Sequence, residues 1–221
     1  MARIINKELK EIKSYSNIVD KYDGIESKRL IEILSKFSEL KIEVIGDVAL
    51  DVYWEANMSL SELSRETPHF VLPVVKERIH AGAGGNVAVN VKALGVPQVN
   101  VVSVLGKDWR GRELKRVLKE NKISTDYLVE AEDRITPTYC KPQRKGISEV
   151  VYEDPRIDFN NGTKMASEIE NQIVENIDQV LKDSDGIAVV DQINNGTIAG
   201  KVIEKLGNEK INNLIVIDSR E

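Results

Sequence analysis

Short apolar runs alternate with longer amphipathic stretches along most of the chain. Runs of mainly aliphatic residues are typical of strands that are buried on both faces. The predicted strands cover residues 42–47, 99–104, 186–191 and 213–218. The predicted helices between them cover residues 86–94, a stretch that Asp108 would cap, 164–182 and 198–206. This alternation predicts an α/β fold in which helices cover both faces of a mostly parallel sheet.

Two segments interrupt the alternation of strands and helices. Residues of about 52–80 and 136–153 are rich in β-branched and aromatic side chains. We expect each segment to form β structure that is inserted into the domain as a lid. Because Pro68 and Pro73 disfavour central strand positions, the first insertion is predicted to be irregular.

The first 40 residues differ from the rest of the chain in being densely charged. Their apolar residues recur at helical spacing at Leu30, Ile31, Leu34 and Phe37. The sequence therefore predicts a helical N-terminal extension over residues 1–40, followed by the main domain over residues 41–221.

Composition and charge exclude several classes of function. The chain has 31 Lys and Arg against 36 Asp and Glu, so no broad basic surface is expected and nucleic acid is not a predicted partner. With Cys140 as the single cysteine and His69 and His80 as the two histidines, neither a disulfide nor a metal centre is predicted. The sequence has no apolar run long enough for a membrane helix and no secretory signal, which predicts a cytoplasmic protein.

The glycine-rich segment 81–88 is the most informative stretch for function. Glycines let a backbone come close to a ligand and expose its N–H groups, and Asn86 is predicted to lie where a helix begins. The dinucleotide fingerprint fails here, because Val87 takes the place of its last glycine when Gly82 is counted as the first. The alternative is a tight loop in which the glycines only permit close packing.

Two carboxylates follow the first predicted strand, at Asp47 and Asp51. Ligands of open α/β sheets gather beyond the carboxyl ends of the strands, and carboxylates accept hydrogen bonds from sugar hydroxyls. The alternative is that both residues cap turns in a solvated loop.

These pieces together resemble a known family. The Gly-Asp-x-x-Leu-Asp opening at residues 46–51, residues 64–68 before Val74-Val75, and the glycine-rich segment occur in this order in ribokinase-like (PfkB) carbohydrate kinases. The resemblance covers residues 41–221 and points to the branch of heptose-7-phosphate kinases and ADP-heptose synthases. It implies a ribokinase-like three-layer α/β domain with a β-rich lid, incomplete at its C-terminus, where only three residues follow Asp218.

The resemblance also implies an activity and a site. Members of the family use ATP and Mg²⁺ to phosphorylate a hydroxyl of a sugar or sugar phosphate. Asp51, Gly84, Gly85 and Asn86 are expected to line the sugar site, and the lid is expected to fold over the sugar. Because this lid often pairs with a second subunit in the family, a homodimer through the lid is a further expectation.

Three more positions have a predicted role at the substrate. Lys141, Arg144 and Arg156 follow or flank the lid strand that the family places near the sugar, and their cations suit phosphate oxygens. The alternative for each is a solvated basic hairpin. Asp191 ends a strand at the substrate side of the family fold, but residues 192–196 depart from the Asp-x-x-Lys-Gly pattern of heptose kinases.

The catalytic signature of the family, Gly-Ala-Gly-Asp, does not occur in these 221 residues. Its aspartate would deprotonate the sugar hydroxyl, and the base is therefore expected beyond residue 221. We expect the chain alone to be inactive. The alternative function is a non-catalytic sugar-binding or dimerisation module, while the failed glycine spacing disfavours a nucleotide-binding Rossmann enzyme.

Overall fold

The computed structural model describes residues 24–208, except 147 and 149, and residues 213–220. The chain divides into two units, residues 1–36 and 37–221. In the first unit, helix α1 (Ser27–Lys36) lies within the predicted N-terminal extension. Residues 1–23 of that extension lie outside the described residues.

The second unit contains every strand found in the described residues. These are β1 (Lys41–Gly46), β2 (Val48–Asn57), β3 (Val74–Ala83), β4 (Gln98–Gly106), β5 (Leu128–Ala131), β6 (Thr138–Lys145), β7 (Tyr152–Glu153), β8 (Ile157–Phe159), β9 (Gly186–Asp191) and β10 (Leu214–Ser219). Its helices are α2 (Gly84–Ala93), α3 (Trp109–Glu120), α4 (Ser167–Val180) and α5 (Gly200–Asn208). Short 3-10 turns cover Phe37–Glu39, Met58–Leu60 and Leu181–Asp183. Across the described part of the chain, no helix is long and apolar enough to cross a membrane.

The main sheet has five strands in the order β10-β9-β1-β4-β5, and every neighbouring pair is parallel. Successive residues of β1 point to opposite faces, so Val44 packs in a core with Leu114 and Leu118 of α3. Ile45 packs on the other face with Ile173 and Ile177 of α4. Helices therefore cover both faces of a parallel sheet, which confirms the predicted α/β class.

The second sheet has the order β3-β2-β6-β7, with β8 also paired to β6. The first β insertion was predicted to be irregular, but β2 and β3 are antiparallel strands of ten residues each, with one shift of register between Glu55 and Ala56. Pro68 and Pro73 lie in the connection between them, where no ladder hydrogen bond is lost. That this sheet closes over a ligand as a lid stays a prediction.

The two faces of the second sheet differ in character, because side chains alternate along each strand. Leu50, Val52 and Cys140 are buried against the first core. The opposite face is polar, and it carries Asp51 and Tyr53 of β2. This polar face is the one available to a ligand.

A short link joins the two sheets, since β1 ends at Gly46 and β2 begins at Val48. Gly46 has φ of +133°, and a Cβ on it would lie 2.0 Å from the carbonyl oxygen of Val190. Only glycine fits this conformation and this close approach to β9. The residue between the strands, Asp47, is thereby held beside the end of β9.

The structure also holds a buried carboxyl group in β1. Glu43 is 1% exposed, and its Oε1 accepts a hydrogen bond of 3.0 Å from Nδ2 of Asn100 on β4. Its Oε2 has no partner among the described residues. Burial raises the pKa of Glu43 to about 7, with the hydrogen bond from Asn100 opposing the shift, Asp183 adding to it and Lys41 opposing it. Glu43 is therefore protonated in the folded protein at mildly acidic pH.

The raised pKa of Glu43 makes the stability of the domain depend on pH. The folded pKa lies above the unfolded value of 4.5, so the stabilisation is complete below pH 4.5 and is lost as pH rises through about 7. Glu43→Gln should flatten this dependence, which amounts to about 3 kcal/mol. Urea unfolding between pH 4.5 and 8.5 measures it, with exposed Glu39→Gln as the control. A wild-type stability that stays constant over this interval would contradict the assignment.

Ala83 connects β3 to α2 in a backbone conformation that favours glycine. Its φ of 48° and ψ of −130° are costly for a residue with a Cβ. Ala83→Gly should therefore stabilise the domain by about 1 kcal/mol, the relieved strain exceeding the added chain entropy. Thermal unfolding measures this, with Ala93→Gly at the end of α2 as the control that should destabilise by about 0.5–1 kcal/mol. Equal losses in both variants would show that Ala83 is unstrained.

Candidate functional site

Asp47 organises the rim at the carboxyl ends of β1 and β9. Its Oδ2 accepts backbone N–H groups of Gln192 and Ile193 at 2.8 and 2.7 Å, and its Oδ1 accepts that of Thr197 at 2.6 Å. Its backbone carbonyl accepts the N–H of Gly84, the first residue of α2, at 2.8 Å. Asp47 thus joins the end of β1, the loop after β9 and the glycine-rich segment.

The alternative prediction for Asp47 was that it caps a turn in a solvated loop. It does cap a turn, but it is 2% exposed rather than solvated. Burial raises the pKa of Asp47, while the three backbone hydrogen bonds favour the ionised form and oppose the shift. Because its oxygens are occupied by the backbone, Asp47 supports the site and is not itself a ligand-binding group.

Asp51 lies on the polar face of β2, where it meets the glycine-rich segment. A Cβ on Gly82 of β3 would lie 3.0 Å from Cγ and Oδ2 of Asp51, so the carboxylate rests against the bare backbone of Gly82. The structure therefore brings together two sequence elements that were expected to converge. The side chain of Asp51 is 22% exposed, which leaves it accessible from one side.

Lys141 of β6 completes this group. Its Nζ donates to Oδ1 of Asp51 at 3.0 Å and to the hydroxyl of Tyr53 at 3.1 Å. Burial disfavours the charged form of Lys141, but the hydrogen bonds to Tyr53 and Asp51 outweigh it, and the pKa of Lys141 is raised above its ordinary value. Lys141 is thus held as a cation between Asp51 and Tyr53.

Next to this pair lies a second group of aromatic and charged side chains. Tyr139 stands opposite Asp51 in the β2–β6 register and opposite Asp158 in the β6–β8 register. The guanidinium of Arg156 lies 4.3 Å from the centroid of the Tyr139 ring and donates two hydrogen bonds of 2.6 Å to Asp158. Burial raises the pKa of the Tyr139 hydroxyl, and the positive charge of Arg156 opposes this shift.

The other residues of the predicted site lie in different surroundings. Gly84 is buried, and a Cβ on it would lie 2.6 Å from the carbonyl oxygen of Asp47. Gly85 is packed in the core, where a Cβ would meet Ala81, Leu114 and Leu118. The predicted packing role of the glycines therefore describes these two positions, while Gly82 faces the carboxylate.

Asn86 lies in the first turn of α2, which begins two residues earlier than predicted, at Gly84, whose N–H donates to the carbonyl oxygen of Asp47. It is exposed, and its Oδ1 accepts a hydrogen bond of 3.4 Å from Asn90. With His80 and Asn121 it lines a cleft of about 230 Å³ between β3, α2 and the end of α3. The structure records no contact between Asn86 and Asp51 among the described residues.

Asp191 ends β9 at the same rim as Asp47. Its Oδ2 accepts a hydrogen bond of 3.1 Å from the hydroxyl of Ser219, and its carbonyl accepts the N–H of Arg220. Gln192, the next residue, donates to Asp218 of β10. Asp191 therefore faces the end of β10, and Asp47 lies close enough for the charge of Asp191 to add to its raised pKa.

Of the predicted phosphate-binding residues, Arg144 is exposed and paired with Asp154 at 2.6 Å, as expected for a solvated hairpin.

Tyr53 and Tyr139 are site residues that the sequence reasoning missed. Both were findable from the period of two along a strand, since Tyr53 shares a face with Asp51, and Tyr139 shares one with Lys141. Within the described residues, no three His, Cys, Asp or Glu side chains are grouped to hold a metal ion.

Solved structures of carbohydrate kinases share the fold. A putative sugar kinase from Clostridium perfringens superposes with a TM-score of 0.57 at 18% identity, over 82% of this chain and 52% of that one. Arabidopsis thaliana ribokinase, solved with ribose and ATP, superposes with a TM-score of 0.51 at 18% identity, over 82% of this chain and 54% of that one. These likenesses confirm the predicted ribokinase-like fold.

Sequence comparison gives the family. The bifunctional protein HldE of Histophilus somni is 31% identical over 144 residues, which are 62% of this chain and 29% of that protein. The chain spans between 18% and 37% of the length of the curated relatives we compared. The pfkB family carbohydrate kinase model matches residues 47–213, more than half of the chain. This chain belongs to the pfkB family of carbohydrate kinases.

Proposed function

We propose that this chain supplies the sugar-binding half of a kinase that transfers a phosphoryl group from ATP to a hydroxyl of a sugar or sugar phosphate. The observation that carries the proposal is the contact of the Asp51 carboxylate with Gly82, beside Lys141. It combines a carboxylate acceptor, a residue without a side chain and a cation on one face of the second sheet. Membership of the pfkB family supports a sugar as the ligand.

Asp51 is the group that would bind a sugar hydroxyl. Lys141 occupies its Oδ1, and Oδ2 accepts no hydrogen bond from the described residues. A carboxylate oxygen is a strong acceptor for a hydroxyl donor, and its hydrogen bond is worth more than one between neutral groups. A side chain at residue 82 would press on this carboxylate, and glycine at that position avoids the obstruction.

A sugar phosphate fits the charges of the polar face better than a neutral sugar. The cation of Lys141 lies beside Asp51 and Tyr53, and that of Arg156 lies over the Tyr139 ring. Each is paired with only one carboxylate in the described part of the chain. Cations that are held in place bind phosphate oxygens with little further ordering. The likeness to HldE and the motif order together make a heptose phosphate the first sugar phosphate to test. Gln192–Gly196, which departs from the heptose-kinase pattern, is where its recognition would differ.

ATP and Mg²⁺ enter this proposal through the family alone. The carboxylates of the rim are engaged, Asp47 by backbone amides and Asp51 by Lys141, so they do not form an oxygen cage for Mg²⁺. We therefore assign the role of this chain to holding the sugar. The base and the groups that stabilise the transferring phosphate belong to the Gly-Ala-Gly-Asp signature, which these 221 residues do not contain.

Sugar binding tests the proposal directly. Titration calorimetry with neutral sugars and sugar phosphates, heptose phosphate among them, should give binding to the wild-type chain without ATP turnover. Asp51→Asn should weaken all sugars about 10-fold or more. Lys141→Met should weaken sugar phosphates about 10-fold more than neutral sugars, since it removes a cation.

Lys145→Met is the matched control for Lys141→Met. Lys145 lies on the same strand and the same face, but it pairs with Glu55 at 2.8 Å instead of Asp51. It should change affinity little. Equal losses of affinity in the two lysine variants would contradict the site assignment, and so would unchanged sugar affinity in Asp51→Asn. Rapid ADP release by the chain alone would contradict the proposal that it binds the sugar without supplying the catalytic groups.

A second candidate function, dimerisation through the second sheet, is favoured by exposed apolar residues of β3 and of the connection between β2 and β3. Phe70 is 69% exposed, Val75 is 58% exposed and Leu63 is 58% exposed. Val75 lies on β3, which is the edge strand of that sheet in the described part of the chain. An edge strand with apolar neighbours is suited to pairing with another strand, and a second copy of this chain offers one.

The dimer has its own test. Val75→Lys combined with Phe70→Ser should convert a dimer into a monomer, because the pair removes apolar area and adds a charge to the β3 edge. Sedimentation equilibrium over a range of protein concentrations measures the mass. Ile203→Ser on α5, where Ile203 is 54% exposed, is the control and should leave the mass unchanged. A wild-type chain that is monomeric at high concentration rejects the dimer.

A further inference from the structure

Arg134 is a buried arginine outside the group around Asp51. It lies in the loop between β5 and β6 and is 5% exposed. One Nη donates to the carbonyl oxygen of Thr163 at 3.0 Å, and the other donates to that of Asn195. Its Nε has no hydrogen-bond partner among the described residues. The guanidinium therefore ties together three loops, those that contain Arg134, Thr163 and Asn195.

The loop after β9 is also held by Asp47, whose charge is opposite to that of Arg134. The amides of Gln192, Ile193 and Thr197 point to the Asp47 carboxylate, and the carbonyl of Asn195 points to Arg134. Residues 192–197 thus lie between a buried anion and a buried cation. Burial lowers the pKa of Arg134, and the negative charges of Asp133 and Asp47 oppose that shift. The two ions stabilise each other through the loop that separates them.

Asparagine side chains add to the same connection. Asn195 donates from Nδ2 to the carbonyl of Asn161 at 3.1 Å. Asn161 in turn exchanges two hydrogen bonds of 2.9 Å with the backbone of Ile135, which follows Arg134. The loop after β9 and the loop before β6 are therefore joined by several directed hydrogen bonds in addition to those of Arg134.

This connection reaches both sheets. The backbone N–H of Thr136 donates to Asp108 at 3.1 Å, and β6 begins at Thr138 and carries Lys141. On the other side, the loop after β9 begins directly after Asp191. A planar guanidinium that binds two carbonyls sets the distance and angle between them more tightly than a flexible ammonium group. Burying such a cation is costly, and the precise positioning of the two loops that it binds is a reason for its presence.

We propose that Arg134 is a positioning residue, which fixes the loop after β9 against the start of β6 and so holds the sugar site around Asp51 and Lys141 in place. The inference rests on the proposed sugar-binding function. Arg134 itself touches no substrate in this scheme. It acts through the backbone of Asn195 and Thr163.

Hydrogen exchange followed by NMR on the wild-type chain and three variants tests the inference. Arg134→Met keeps the aliphatic stem and removes the charge and both donors, while Arg134→Lys keeps the charge. Arg144→Met is the matched control, because Arg144 is an exposed arginine of β6. In Arg134→Met, the amides of Ile193, Gly196 and Thr197 should exchange about 10-fold faster, while those of Val101 and Val102 in β4 should stay unchanged.

Two further readouts separate positioning from a general loss of packing. The pKa of Asp47, followed by the NMR shift of its carboxyl carbon, should rise in Arg134→Met and stay near the wild-type value in Arg134→Lys, because only the first variant removes the charge. Affinity for sugar phosphate should fall about 10-fold in Arg134→Met and by a smaller factor in Arg134→Lys, which reaches one carbonyl.

The possible results are distinct. Exchange that rises equally in the loop and in β4, or rises as much in Arg144→Met, overturns the inference. Faster loop exchange with unchanged sugar affinity also overturns it, because the loop would then not position the ligand. If Arg134→Met fails to fold, wild-type exchange and affinity in Arg134→Lys overturn it, and intermediate values support it. A wild-type chain that binds no sugar rejects the proposed function, while the exchange result still decides whether Arg134 fixes the loop.

Discussion

The rim of the main sheet depends on the buried carboxylate of Asp47. Three backbone amides of the loop after β9 converge on its two oxygens, and its carbonyl binds the first amide of α2. Each of these amides would otherwise need another acceptor in a region that water does not reach. One residue therefore sets the start of a helix with its backbone carbonyl and the course of a loop with its side chain.

The position of Asp47 follows from the short link between the two sheets. Asp47 alone separates Gly46, the last residue of β1, from the long strand β2. Because the link is too short to move independently, the residues that end β1 also orient the polar face of the second sheet. The group around Asp51 is thus built on strands rather than on loops, which favours a fixed geometry for ligand contacts.

Much of this arrangement follows from the sequence. The apolar runs give the parallel sheet, and the motif order gives the family and the meeting of Asp51 with the glycine-rich segment. Two features were not accessible in this way. The start of α2 was misplaced because glycine has a low helix propensity, whereas the Asp47 carbonyl binds the amide of Gly84 and begins the helix there. Arg134 has no sequence signal, since an arginine in a polar loop is usually exposed, and its burial depends on loops that are distant along the chain.

The neighbours Gly82 and Ala83 illustrate two separate demands that are both usually met by glycine. At residue 82 the demand is for space, because a methyl group would press on a carboxylate. At residue 83 it is for a torsion angle, and here the chain tolerates a methyl group in a region of conformational space that L-amino acids seldom occupy. The two residues are therefore not interchangeable, although their side chains differ by a single carbon. Exchanging their order would leave composition and length intact and still obstruct the surface on which a hydroxyl would rest.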